Sequence, residues 1–144
     1  MITRPDYPSY GNWIARGATT LWELFQHEGS DRIGSLNHHF WGDISSWFTQ
    51  ALSGIRMAPH GEPNEVNFCP SFISRLTHAE AFHIAPAGRI ASAWERDEDD
   101  VIVLTVELPS TMHGVIRLES GYVFEDGLAY KAAESGTYRI HSIE

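Results

Sequence analysis

With 144 residues, 42% of them hydrophobic, the chain has apolar mass for one ordinary core. Its formal charge of −9 argues against a nucleic-acid partner, which would need a basic surface to release phosphate counterions. No run of about 18 apolar residues is present, and the opening MITRPDYPSYG lacks the apolar stretch of a secretory signal, so no membrane partner and a cytoplasmic location are expected.

The charge is uneven. Residues 1–57 hold four basic and five acidic side chains, whereas 58–144 hold six and fourteen. Trp13, Trp22, Trp41 and Trp47 all fall in the first part. The asymmetry predicts two differently built segments, aromatic-rich and then acidic and strand-like.

In chain order, YPSYGNWIARGATTLWELFQ predicts a helix of two or three turns stopped at Gly17, then a second short segment carrying Trp22 and Glu23. Phe40, Ile44, Trp47, Phe48, Ala51 and Leu52 recur at three- and four-residue spacing, which predicts a helix with one buried face. Ser35 or Asn37 is placed to cap its start and Gly54 to end it. RMAPHGEPNEVN has two prolines, a glycine and no periodicity, and reads as a linker. The expected division is therefore a helical segment, 1–57, and a strand domain, 58–144, that includes its leading linker.

Past the linker the period becomes two. Ile90, Ser92 and Trp94, an acidic turn at Asp97 to Asp100, then Ile102, Leu104, Val106 and Leu108 predict a β-hairpin with one buried face. FCPSFI, AEAFHI, HGVIRLESGYVFEDG and GTYRIHSI supply further short strands. The fold class expected is α+β: two to three N-terminal helices, then a small antiparallel β-sandwich. The single cysteine, Cys69, excludes an internal disulfide and reads as a buried, inert thiol.

Glu23 stands between Trp22 and Leu24–Phe25, where desolvation would raise its pKa toward that of a general base or acid. The bland alternative is an exposed glutamate. His38 and His39 are adjacent, so on a helix they would point in different directions. Glu23, His27 and His38 lack the tight spacing of a zinc motif, so neither metal nor cofactor is expected. Trp13, Trp22 and Trp41 could stack on a sugar ring, although aromatics at helical spacing more often form core. ERDEDD lacks the glycine and terminal glutamate of a calcium loop and reads as a solvated turn.

YPSYGNWIARGATTLWE, then SLNHHFWGDISSWFTQALSGIR, then GRIASAWER resemble, in one register, the C-terminal part of bacterial α-L-rhamnosidases. That family consists of inverting glycosidases with an (α/α)6 barrel followed by a β-sandwich. The resemblance implies that Glu23, of the Trp-Glu dipeptide, is the general base on the attacking water. It also implies that Asn37 and His38 match the Asn-His whose histidine contacts rhamnose; Trp22 and Trp13, as aromatics able to stack on a sugar, complete the expected substrate-binding set. The family commonly follows Trp-Glu with arginine, tryptophan and aspartate, where this chain has Leu24, Phe25 and Gln26. Its Asn-His is usually followed by tyrosine, where this chain has His39.

In the family the general acid lies in an earlier part of the barrel, so the resemblance implies half of an active site. The expectation is a rhamnosidase fragment inactive alone. The alternatives are an accessory carbohydrate-binding module or an interaction piece completing a split glycosidase. The implied ligand is a rhamnose-containing carbohydrate, and a homodimer or a separately encoded barrel fragment is the expected protein partner.

Overall fold

The computed structural model describes residues 2–25, 34–57 and 61–143. They form two compact units, Met1–Ser45 and Ser46–Glu144, whereas the composition shift placed the boundary after residue 57.

In the first unit, α1 spans Tyr10–Ala15, with the buried Ser9 as its cap, its hydroxyl accepting the Asn12 N–H at 2.9 Å. Gly17, at φ +80°, carries the chain out of the helix as expected, but six residues make the helix shorter than predicted. Trp22 and Glu23 are not helical. Residues 20–23 bond instead to 35–38, and the β-branched Thr19 and Thr20 disfavour helix.

The single amphipathic helix expected at 40–52 is instead broken. A 3₁₀ turn covers His39–Trp41, α2 covers Ile44–Trp47, and a π turn covers Phe48–Leu52. Gly42 and Asp43 disfavour helix interior, and the Gly42 N–H closes the 3₁₀ turn on the His39 carbonyl at 2.8 Å. The cap of the 3₁₀ turn is His38, not Asn37 or Ser35. Nor is the predicted face buried, since Trp47 is 44% and Phe48 38% exposed. Gly54, at φ +76°, does follow the last turn.

The second unit is a two-sheet sandwich. One sheet has the order β1–β2–β6–β8, built from Ile55–Met57, Val66–Phe68, Val115–Arg117 and Tyr130–Ala132. The other has the order β3–β4–β5–β9–β7, built from His78–Ala85, Gly88–Arg96, Ile102–Glu107, Gly136–Ser142 and Tyr122–Phe124. Among the described residues the strand pairings are antiparallel except β2 with β6, which run parallel beside a parallel Glu65–His113 bridge, so the expected antiparallel sandwich is corrected at that point. The predicted hairpin is β4–β5, with Trp94 opposite Leu104 and Ser92 opposite Val106.

Alternation carries Ile90, Trp94, Ile102, Leu104, Val106 and Ile140 into a core completed by Val66, Phe68 and Ile116 of the other sheet. The Trp94 indole donates to the Leu52 carbonyl at 2.8 Å, which caps the π turn from inside the sandwich. Cys69 is free and half-buried. No helix among the described residues is long and apolar enough to cross a membrane.

Candidate active site

Two non-helical stretches of the first unit, 20–23 and 35–38, run alongside each other in opposite directions. The Glu23 N–H donates to the Ser35 carbonyl and the His38 N–H to the Leu21 carbonyl, each at 2.8 Å. The Thr20 hydroxyl adds a bond to the Leu36 carbonyl. Through this pairing, sequence positions fourteen or fifteen apart bring Glu23, Asn37 and His38 onto adjacent stretches of chain.

Glu23 is half-buried. Its Oε2 accepts the Ser35 N–H at 2.9 Å, and its backbone carbonyl accepts the Trp41 indole N–H at 3.0 Å. Gly34 lies close by: a Cβ there would meet the Leu24 side chain at 3.0 Å and Glu23 Oε2 at 3.4 Å. A side chain at 34 would therefore press on Leu24 and only touch the carboxylate.

Behind Glu23 stands an aromatic cluster. Phe25 stacks on Trp13 with centroids 4.4 Å apart, and Trp41 packs against Phe25 at 5.0 Å. Tyr10 meets both Trp13 and Phe25 edge-on. Its hydroxyl donates to the Trp41 carbonyl at 3.1 Å, and burial pushes the phenol pKa up, which keeps it a donor. Trp13 is only 2% exposed, and among the described residues its indole nitrogen has no hydrogen-bond partner. The structure thus places Trp13 in the interior, without an open face for a sugar. Trp22 is also buried, with the Arg16 guanidinium 5.3 Å above its ring.

The two histidines do not diverge as helical neighbours would. Their rings are parallel within 7° and 5.2 Å apart, because His38 is extended and His39 begins the 3₁₀ turn. His38 Nδ1 accepts the Phe40 N–H at 3.1 Å, so in the neutral ring the proton sits on Nε2. That leaves an N–H donor of the kind a sugar hydroxyl accepts. Asn37 is exposed, its backbone engaged with the Ser35 hydroxyl.

His27, considered with Glu23 and His38 as a metal site, lies outside the described residues, as does Gln26. Among the described residues no group of three His, Cys, Asp or Glu side chains is arranged to hold a metal ion. Ser35 and Trp41 were not legible as the residues that hold Glu23. Their bonds use a backbone N–H and an indole across a chain reversal, which leaves no mark in periodicity.

Residues 1–52 match the family model described as the bacterial alpha-L-rhamnosidase 6 hairpin glycosidase domain, and 64–122 match the bacterial alpha-L-rhamnosidase C-terminal domain. An alpha-L-rhamnosidase of Formosa agariphila is 32% identical over 117 residues, 77% of this chain and 12% of that protein. One of Alteromonas sp. (strain LOR) is 28% identical over 156 aligned positions, 99% of this chain and 17% of that protein. The chain thus spans less than a fifth of the length of these relatives. Among solved structures, an alpha-L-rhamnosidase from Dictyoglumus thermophilum superimposes with a TM-score of 0.78 at 24% identity, covering 99% of this chain and 18% of that one. The Streptomyces avermitilis enzyme complexed with L-rhamnose gives 0.76 at 24%, covering 95% and 15%. These structural likenesses are likenesses of fold.

Proposed function

Because the chain belongs to the bacterial α-L-rhamnosidase family, we propose that it supplies the C-terminal part of an inverting α-L-rhamnosidase, with Glu23 as general base. Residues 1–52 would belong to the (α/α)6 barrel and the strands of the second unit to the sandwich that follows it. The observation that carries this reading is the Glu23 carboxylate, held by Ser35 beside the Asn37–His38 stretch.

Inversion needs a base that takes a proton from water on one face of the sugar and an acid that protonates the leaving oxygen on the other. Ser35 engages Oε2, which leaves Oε1 as the oxygen to address that water. The His38 Nε2–H and Asn37 would bond rhamnose hydroxyls, and Trp22 would form the apolar wall, backed by Trp13. The acid would come from other hairpins of the six-hairpin domain, so these 144 residues alone should not turn over an aryl α-L-rhamnoside. Loss of one proton-transfer partner forfeits roughly 10²- to 10⁴-fold before substrate positioning is counted.

A kinetic assay of the purified chain with an aryl α-L-rhamnoside tests this, with no hydrolysis above background expected. Turnover abolished by Glu23→Gln would show that the chain carries its own acid. The proposed ligand remains a rhamnose-containing carbohydrate, and the proposed setting is the cytoplasm.

A second reading, as the piece that completes a separately encoded partial barrel, is favoured by one observation. In the first unit Ile14 is 72% and Phe40 67% exposed, apolar area of the kind that marks an interface.

A further inference from the structure

Glu23 is fixed on both sides of its Cα. Its N–H, in the preceding peptide plane, is tied to the Ser35 carbonyl, and its carbonyl, in the following plane, to the Trp41 indole. With both planes held, φ and ψ are set and so is the direction in which Cβ leaves the backbone. The Ser35 N–H then holds Oε2. Ser35 alone would leave the plane after Glu23 free to turn, and Trp41 is what stops it.

Trp41 is itself well placed for this. Phe25 packs on its ring at 5.0 Å and the Tyr10 hydroxyl holds its carbonyl at 3.1 Å, so the indole N–H has a set direction. We propose that Trp41 is a positioning residue for the Glu23 carboxylate, orienting it through the Glu23 carbonyl. The Tyr10–Trp13–Phe25 cluster is the support on which Trp41 stands. This rests on the reading of Glu23 as the general base, since a carboxylate with no water to activate needs no aim. Displacement of a catalytic group by about 1 Å is enough to cost of order 100-fold in rate.

The test is proton NMR on the 144-residue chain. An amide N–H bonded to a carboxylate resonates downfield and moves upfield when the carboxylate is protonated. The Ser35 amide proton should therefore lie downfield in the wild-type chain. Glu23→Gln, which removes the charge, should abolish that downfield shift.

Trp41→Phe keeps a ring against Phe25 but removes the N–H. It should lose the Glu23-dependent shift while resonances of residues 61–143 stay in place. A shift of undiminished size in Trp41→Phe would overturn the proposal. Should that variant fail to fold, scalar coupling across the bond from the Trp41 indole nitrogen to the Glu23 carbonyl carbon in the wild-type chain decides, and its absence overturns the proposal. None of these readouts involves turnover, so a failure of the catalytic reading would be seen separately in kinetics.

Discussion

Trp94 joins sequence pattern to tertiary structure in one side chain. It is fully buried, meets Phe72 edge-on at 5.5 Å, and spends its N–H on the Leu52 carbonyl. Trp94→Ala should destabilise the chain by about 3 to 5 kcal/mol, read from urea unfolding. Trp94→Phe keeps most of the apolar area but leaves the Leu52 carbonyl without its donor, and should cost about 1 to 3 kcal/mol. An unchanged midpoint for the alanine variant would show that this face of β4 is not core.

Trp94 was legible because alternation assigns it a face. The hold on Glu23 was not, because it depends on Ser35 and Trp41, whose partners lie across a chain reversal. What the sequence did mark was the Trp22–Glu23 dipeptide and the Asn37–His38 pair, through their resemblance to a family.

Among the elements, the β4–β5 hairpin and the helix expected at 40–52 were read by the same kind of periodicity with opposite outcomes. In the hairpin, local preference and burial agree. Ile90, Trp94, Ile102 and Leu104 alternate, and Asp97 Oδ1 closes the turn by accepting the N–H groups of Asp99 and Val101. In the helical run the apolar spacing is present, but Gly42 and the Asp43, Ser45 and Ser46 side chains weaken the interior, and the run divides into three kinds of turn. Strands β1 and β8, three residues each, were too short to show a period.

Gly54 marks where the helical run gives way to β1. At φ +76° it also approaches Pro70 and Cys69 so closely that an added Cβ would lie 2.1 Å from the Pro70 nitrogen. Gly54→Ala should therefore destabilise by at least roughly 2 kcal/mol, from left-handed strain plus displacement of backbone. Thermal melting of the variant checks this, and an unchanged melting temperature would refute the close approach.

The turn between β7 and β8 predicts a pH dependence. The Lys131 ammonium beside Asp126 holds that carboxyl below the usual aspartate range, helped by the Leu128 N–H. A depressed folded-state pKa contributes stability above the unfolded value, about 3.9, which is lost as pH falls through the folded one. Asp126→Asn should therefore lower stability slightly at pH 7 and converge with the parent chain as the medium becomes strongly acid. Because the group is solvent-exposed, the effect should also shrink in high salt. Unfolding curves that differ equally at both pH values would contradict this.

At the scale of the whole molecule, each unit exposes large apolar side chains, Ile14 and Phe40 in the first and Trp47 and Phe48 in the second, and such side chains favour association. Light scattering at tens of micromolar should detect species heavier than 16.2 kDa, with a twofold dimer as the default, and Phe40→Asp should reduce them. A monomer throughout would mean that these side chains need no cover.

The claim on which the functional account turns is that Glu23 acts as general base. It is tested most directly in a hybrid α-L-rhamnosidase whose corresponding C-terminal part is replaced by these 144 residues. Hydrolysis of an aryl α-L-rhamnoside by the hybrid should fall by roughly 10²- to 10⁴-fold on Glu23→Gln. A folded Glu23→Gln hybrid that keeps its rate would contradict the account.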